Sequence, residues 1–115
     1  MKIGLPLLLL ILASITAHAA ELSNKSLSGT WKFTHMILDG ERTVLVNRDM
    51  KFLPSGEIVN YDRKGEENGR ANYVIDGDFI RYSDKRGAQP WKVIKFDSDT
   101  LIVDHKGAEM FFTKP

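Results

Sequence analysis

Residues able to do chemistry are few and scattered in this chain. Beyond the first nineteen positions the histidines are His35 and His105, far apart in sequence, and there is no cysteine. A zinc site draws its ligands from histidine, thiolate and carboxylate at spacings such as His-x-x-x-His, which does not occur here, so no metal is expected. Asp76-x-Asp78 and Asp97-x-Asp99 match the opening of a calcium loop. Neither continues with the glycine and distal glutamate that complete one, and both read as turns. No serine lies in a Gly-x-Ser-x-Gly elbow, and there is no glycine-rich phosphate loop. The sequence offers no catalytic residues and implies no cofactor, so it reads as a binder rather than an enzyme.

What remains is a set of polar side chains within otherwise apolar runs: His35, Asn60, Tyr73 and Tyr82. A few placed polar groups in a mostly apolar pocket orient a small amphipathic ligand. The alternative is that the same groups are satisfied members of a core or rim, with the tyrosine hydroxyls reaching water.

Before these residues can be positioned, the amino terminus must be set aside. Met1 and Lys2 give a short positive start, Ile3 to Ile15 form a nearly unbroken apolar run, and Ala17-His18-Ala19 supplies a small-x-small cleavage pattern. Residues 1–19 read as a cleavable signal peptide, cut after Ala19. The apolar run is shorter than the roughly 18 residues of a permanent span, so no transmembrane anchor is expected after cleavage. The chain has 16 Lys and Arg against 15 Asp and Glu, and Lys2 is the difference, so the mature chain is formally neutral. Nucleic-acid binders carry a basic excess or stripe, and none is present. What is left has the length of one domain: a polar lead over 20–28 and a folded part over 29–115.

The folded part alternates short apolar runs with turn residues, and no window sustains a helical period. Leu53-Pro54-Ser55-Gly56 suits a three-residue hairpin loop that pairs Phe52 with Ile58 and Met50 with Asn60. Asp76-Gly77 suits a two-residue loop that pairs Tyr73 with Ile80 and Ala71 with Tyr82. Asp97-Ser98-Asp99 and Lys106-Gly107 mark two further reversals, and "DRKGEENG" over 62–69 reads as a solvated connection. Strands are expected near 30–37, 49–53, 57–61, 70–75, 78–83, 90–96, 100–104 and 109–113. The fold class is all-β. Eight short strands in a meander lose their exposed edges by closing, which makes a small eight-stranded up-and-down antiparallel barrel the expected fold, with a two-sheet β-sandwich as the alternative. If Trp31 points inward, alternation carries Phe33, His35 and Ile37 with it, and Asn60, Tyr73, Tyr82 and Trp91 join them. Val74, Phe79, Ile94, Ile102 and Phe111 then face outward.

Gly29-Thr30-Trp31 on a first strand resembles the glycine-x-tryptophan signature of the lipocalins, and residues 27–115 resemble the short bacterial lipocalin-like domains. The shared order is a "GTW" start, Phe52 before Gly56, Tyr73 with Ile75 and Gly77, Trp91 with Val93, and Phe112 followed by Lys114. The resemblance implies a barrel that binds a small apolar or amphipathic ligand in its open end, near His35 and Tyr82. It also implies a cation across Trp31 at the closed end, a place that Lys114 takes in this chain. With the brief leucine-rich leader it points to the bacterial envelope, periplasmic or secreted. The alternative function is a filled barrel whose outer face binds an envelope protein partner, as an inhibitor or assembly module. The leader generates a direct expectation: intact mass of the protein recovered from its native envelope or medium should match a chain beginning at Ala20.

Overall fold

The computed structural model describes residues 21–115; the signal peptide expected over 1–19, with its expected cut after Ala19, lies outside the described residues. A short helical turn, α1 (Asn24–Leu27), precedes eight strands: β1 (Gly29–Leu38), β2 (Arg42–Phe52), β3 (Glu57–Tyr61), β4 (Glu67–Asp76), β5 (Phe79–Asp84), β6 (Gly87–Phe96), β7 (Thr100–His105) and β8 (Ala108–Thr113). Each strand pairs antiparallel with the next, and β8 returns to pair with β1, so the sheet is a closed up-and-down barrel. The expected barrel is therefore the observed fold, and the two-sheet sandwich is not formed.

Turn chemistry sets most registers. At 53–57, Leu53 N–H donates to Glu57 O (2.8 Å) and Gly56 N–H to Leu53 O (3.0 Å), which fixes Phe52 against Ile58 and Met50 against Asn60, as the sequence predicts. The β4–β5 hairpin departs from expectation. Its loop residues are Gly77 and Asp78, so Ile75 pairs with Ile80 and Tyr73 with Tyr82. Only Gly77 of this loop takes a positive φ, 61°, which suits a turn with glycine at the first central position. Centring the loop one residue later moves each partner by two, so every side chain keeps its expected face.

Strand β2 is longer than its sequence suggests, beginning at Arg42 rather than near 49. A tight turn at Asp39-Gly40, both with positive φ, starts it. A bulge hides it: Val46 and Asn47 together oppose Thr34, and Asn47 adopts φ 52°. Likewise Glu67–Gly69, expected within the solvated connection, belong to β4, and the loop proper is shorter.

A second bulge corrects the face of His35. Between Phe33 and His35, β1 carries one residue more than β8, since Phe33 pairs with Phe112 while His35 pairs with Phe111. Thr34 absorbs the irregularity, its Oγ1 donating to Phe111 O (3.1 Å). Beyond it the alternation reverses: Met36 packs against the core, while His35 stacks on outward-facing Phe111 at 4.4 Å. The inward places expected for His35 and Ile37 are therefore not realised.

One end of the barrel is filled. Trp31, Phe52, Ile58, Ile80, Leu101, Val103 and Phe112 are fully buried there. Residues expected only to lead into the domain join them: Leu27 is fully buried, and its carbonyl accepts a hydrogen bond from Trp31 Nε1 at 2.8 Å. Ser23 and Ser26 cap α1 reciprocally, and Asn24 Nδ2 ties it to Pro54 O at 3.0 Å. Across this end lies Lys114, its Nζ 4.9 Å from the Trp31 ring centroid and 2.7 Å from Ser28 O. Gly29 makes that crossing feasible: its φ is 119°, and a Cβ there would lie 2.9 Å from Lys114 Cε. Truncating the buried plug, Leu27→Ala, should cost about 2–5 kcal/mol of unfolding free energy in urea titration. Gly29→Ala should cost about 1–3 kcal/mol in the same measurement through strain at positive φ.

Candidate functional site

The opposite end is open. A cavity of about 500 Å³ lies there, within the range of small-molecule sites. Its apolar lining comes from Phe33, Met50 and Trp91, contributed by β1, β2 and β6. Asn60, Tyr82 and Gln89 add neutral polar groups, and Arg48, Arg70, Asp84, Lys85 and Arg86 bring charge. These positions converge because inward-facing residues recur every second place on neighbouring strands: Met50 pairs with Asn60, and Tyr82 with Gln89.

The structure brings together two of the four polar residues singled out from sequence. Asn60 Nδ2 donates to Tyr82 Oη at 3.3 Å, and the Tyr82 ring stacks on Trp91 at 4.7 Å and 12°. Tyr73 does not line this cavity. Its ring packs edge-on against Phe52, and its hydroxyl donates to Leu53 O at 2.6 Å, tying β4 to the β2–β3 loop near the filled end. His35 stands on the outer wall, with Nδ1 2.8 Å from Thr34 Oγ1.

Several lining residues escaped the sequence reading. Trp91 was expected inside, yet its importance lies in its indole nitrogen: among the described residues, Nε1 is buried and has no hydrogen-bond partner. Such a donor costs about 1–3 kcal/mol while it lacks an acceptor. Arg48 lies on the part of β2 that the bulge disguised, and only its alternation with Met50 and Phe52 signals an inward place. Lys85 and Arg86 lie in the β5–β6 turn, where charge ordinarily means only solvent exposure.

Electrostatics around the mouth are partly self-compensated. Arg86 holds the Asp84 carboxyl below the ordinary carboxylate value, first through its guanidinium hydrogen bond (Nη2 to Oδ2, 3.0 Å) and then through its backbone N–H, with Tyr82 contributing least. Arg70 is paired with Glu67 at 3.1 Å and Glu57 at 3.5 Å. Arg48 and Lys85 have no carboxylate partner among the described residues.

Beside the mouth the barrel wall is thin. Strand β2 pairs with β3 only over Met50–Phe52, and its upper half leaves that edge free. Arg63 reaches across the gap, Nε donating to Val46 O (3.0 Å) and Nη2 to Leu45 O (3.2 Å). A second hollow of about 590 Å³ lies along this seam, with Met36, Val44 and Val46 in its wall.

Filled at one end, closed around its wall and open at the other, the molecule is a small single-mouthed antiparallel barrel. Solved structures share that plan. A lipocalin-like protein from Bacteroides uniformis ATCC 8492 matches with a TM-score of 0.65 and 18% identity, covering 78% of this chain and 99% of its own. An uncharacterized protein from Bacteroides eggerthii DSM 20697 matches with a TM-score of 0.65 and 14% identity, covering 76% and 98% respectively. No family model and no curated protein matches the sequence. The chain therefore has the lipocalin-like fold, and at these identities the likeness is one of fold.

Two titrations follow from the geometry. Burial pushes the Tyr73 hydroxyl above its ordinary value of 10.0. The unfolded phenol therefore ionises first, so this contribution to stability is complete below about pH 10 and is lost as pH rises towards the folded value. Melting temperature followed into alkaline pH should fall less steeply in Tyr73→Phe than in the parent. For Asp84 the sign is opposite: its contribution is present above the ordinary carboxylate value and is lost as pH falls through the depressed one. Arg86→Gln should move the Asp84 titration back up, read from carboxyl carbon shifts by NMR.

Proposed function

We propose that this protein is exported to the bacterial envelope and there binds, without catalysing a reaction, a small amphipathic molecule in the open mouth of its barrel. The observation that carries this reading is the mouth cavity itself, where Phe33, Met50 and Trp91 meet the polar Asn60, Tyr82 and Gln89. An apolar body can rest on the former while a polar end meets the latter. The buried Trp91 N–H supports the reading, since an acceptor on a bound molecule that reorders the stack would satisfy it. Tyr82 holds Trp91 by stacking, so Tyr82→Ala should weaken binding at least about tenfold, an effect of the size expected when stacking and buried area are lost together. His35→Ala, on the outer wall, should leave affinity unchanged. Native mass spectrometry of protein purified gently from its own envelope or medium identifies the ligand. Equal affinities in both variants would remove the site assignment.

A second reading, a docking face for an envelope protein, is favoured by a row on the outer wall. Ile102, Phe111, His35 and Leu45 are successive cross-strand neighbours over β7, β8, β1 and β2. Leu45 is 65% exposed at one end of that row. Leu45→Lys should abolish capture of such a partner while sparing the mouth ligand, as judged by co-purification and ligand mass from the same sample.

A further inference from the structure

The charges at the mouth select among amphipathic ligands. Four cationic side chains, Arg48, Arg70, Lys85 and Arg86, line the same cavity as a single carboxylate, Asp84. This excess is local, because the whole chain carries a formal net charge of only +1. The cations are not equivalent. Arg70 is occupied by Glu57 and Glu67, and Arg86 by Asp84, whereas Arg48 and Lys85 face no carboxylate among the described residues.

We propose that the mouth takes an anionic amphiphile, its tail on Phe33, Met50 and Trp91 and its acidic head between Arg48 and Lys85. This inference rests on the mouth-binding reading above and names the ligand class for that site. An acidic head would gain charge-assisted hydrogen bonds from two cations that have no carboxylate partner among the described residues. A cationic head would meet the uncompensated like charges of Arg48 and Lys85, and a neutral one would gain no ion pair from either. The apolar lining separates this site from a simple anion-binding patch, since a free anion has no use for Phe33, Met50 and Trp91. Asp84 does not cancel the attraction, because its charge is already engaged by the Arg86 side chain and backbone N–H. The cations are exposed, so the attraction is screened by salt.

Calorimetric titration of the mature chain with four probes tests the inference: dodecanoate, dodecanol, dodecyltrimethylammonium and acetate. Dodecanoate should bind about tenfold or more tightly than dodecanol, the gap should narrow with added salt, and dodecyltrimethylammonium and acetate should bind more weakly still. The double variant Arg48→Gln/Lys85→Gln should close the gap by weakening dodecanoate alone. Both side chains lie on the exposed rim, and an unchanged urea midpoint would show that the variant is folded. Equal affinity for dodecanoate and dodecanol overturns the anionic head but leaves the mouth-binding reading standing. Failure of all four probes to bind overturns both. Acetate binding as tightly as dodecanoate reduces the site to an anion patch and overturns the amphiphile. A gap that survives in the double variant overturns the assignment to Arg48 and Lys85.

Discussion

Strand β1 must hydrogen-bond on both edges, and everything else in the molecule depends on that. Its pairing with β2 and with β8 closes the sheet, and the stretch of edge left unpaired along the upper half of β2, beside β3, is bridged by Arg63. Closing eight strands demands strong coiling where β1 meets its two neighbours, and bulges supply it. One lies at Thr34 against β8 and the other at Val46 and Asn47 against Thr34. The same bulges decide which side chains reach the interior above that level. His35 is turned out against Phe111, and Met36 is turned in.

Closure also divides the barrel along its length. An interior of this strand number is just wide enough to be filled by side chains, and the end near Trp31 is filled. The helical turn α1 and Lys114 complete the cover there, the first through Leu27 and the second by lying across the indole. The other end is lined by rings, Phe33, Tyr82 and Trp91 among them, together with charged and amide side chains, and it stays open. The two tyrosines that face each other across β4 and β5 show the division clearly. Tyr73 sends its hydroxyl to a backbone carbonyl near the filled end, while Tyr82 stacks on Trp91 at the mouth.

Much of this plan is legible from residue order. The Pro54-Ser55-Gly56 loop, the Asp97 turn and the Lys106-Gly107 turn each have a conformational requirement that few residues meet, and each appears where expected. For the β4–β5 hairpin the sequence leaves a choice of one residue, because Asp76-Gly77 and Gly77-Asp78 are both acceptable turn pairs. Only the pairing of the flanking strands chooses between them. The first half of β2 is hidden in the sequence because a bulge inserts a residue without changing composition, so alternation fails over an intact strand. A bulge likewise turns His35 away from the inward place that strict alternation predicts. Of the mouth, Asn60, Tyr82 and the inward Trp91 could be read from period and turn. Arg48, Lys85 and Arg86 could not, since cations near turns are ordinarily solvated.

By itself, then, the sequence determined the class of the fold, the meander order of its strands and most of its registers. These follow from local rules: a period of two, turn residues that accept positive φ, and the need of eight strands to hide their edges. Tertiary structure decided where the alternation breaks, that Leu27 and Lys114 seal one end, and which cations at the other have no carboxylate partner among the described residues. Those outcomes depend on partners distant along the chain, so no short stretch of residues encodes them alone.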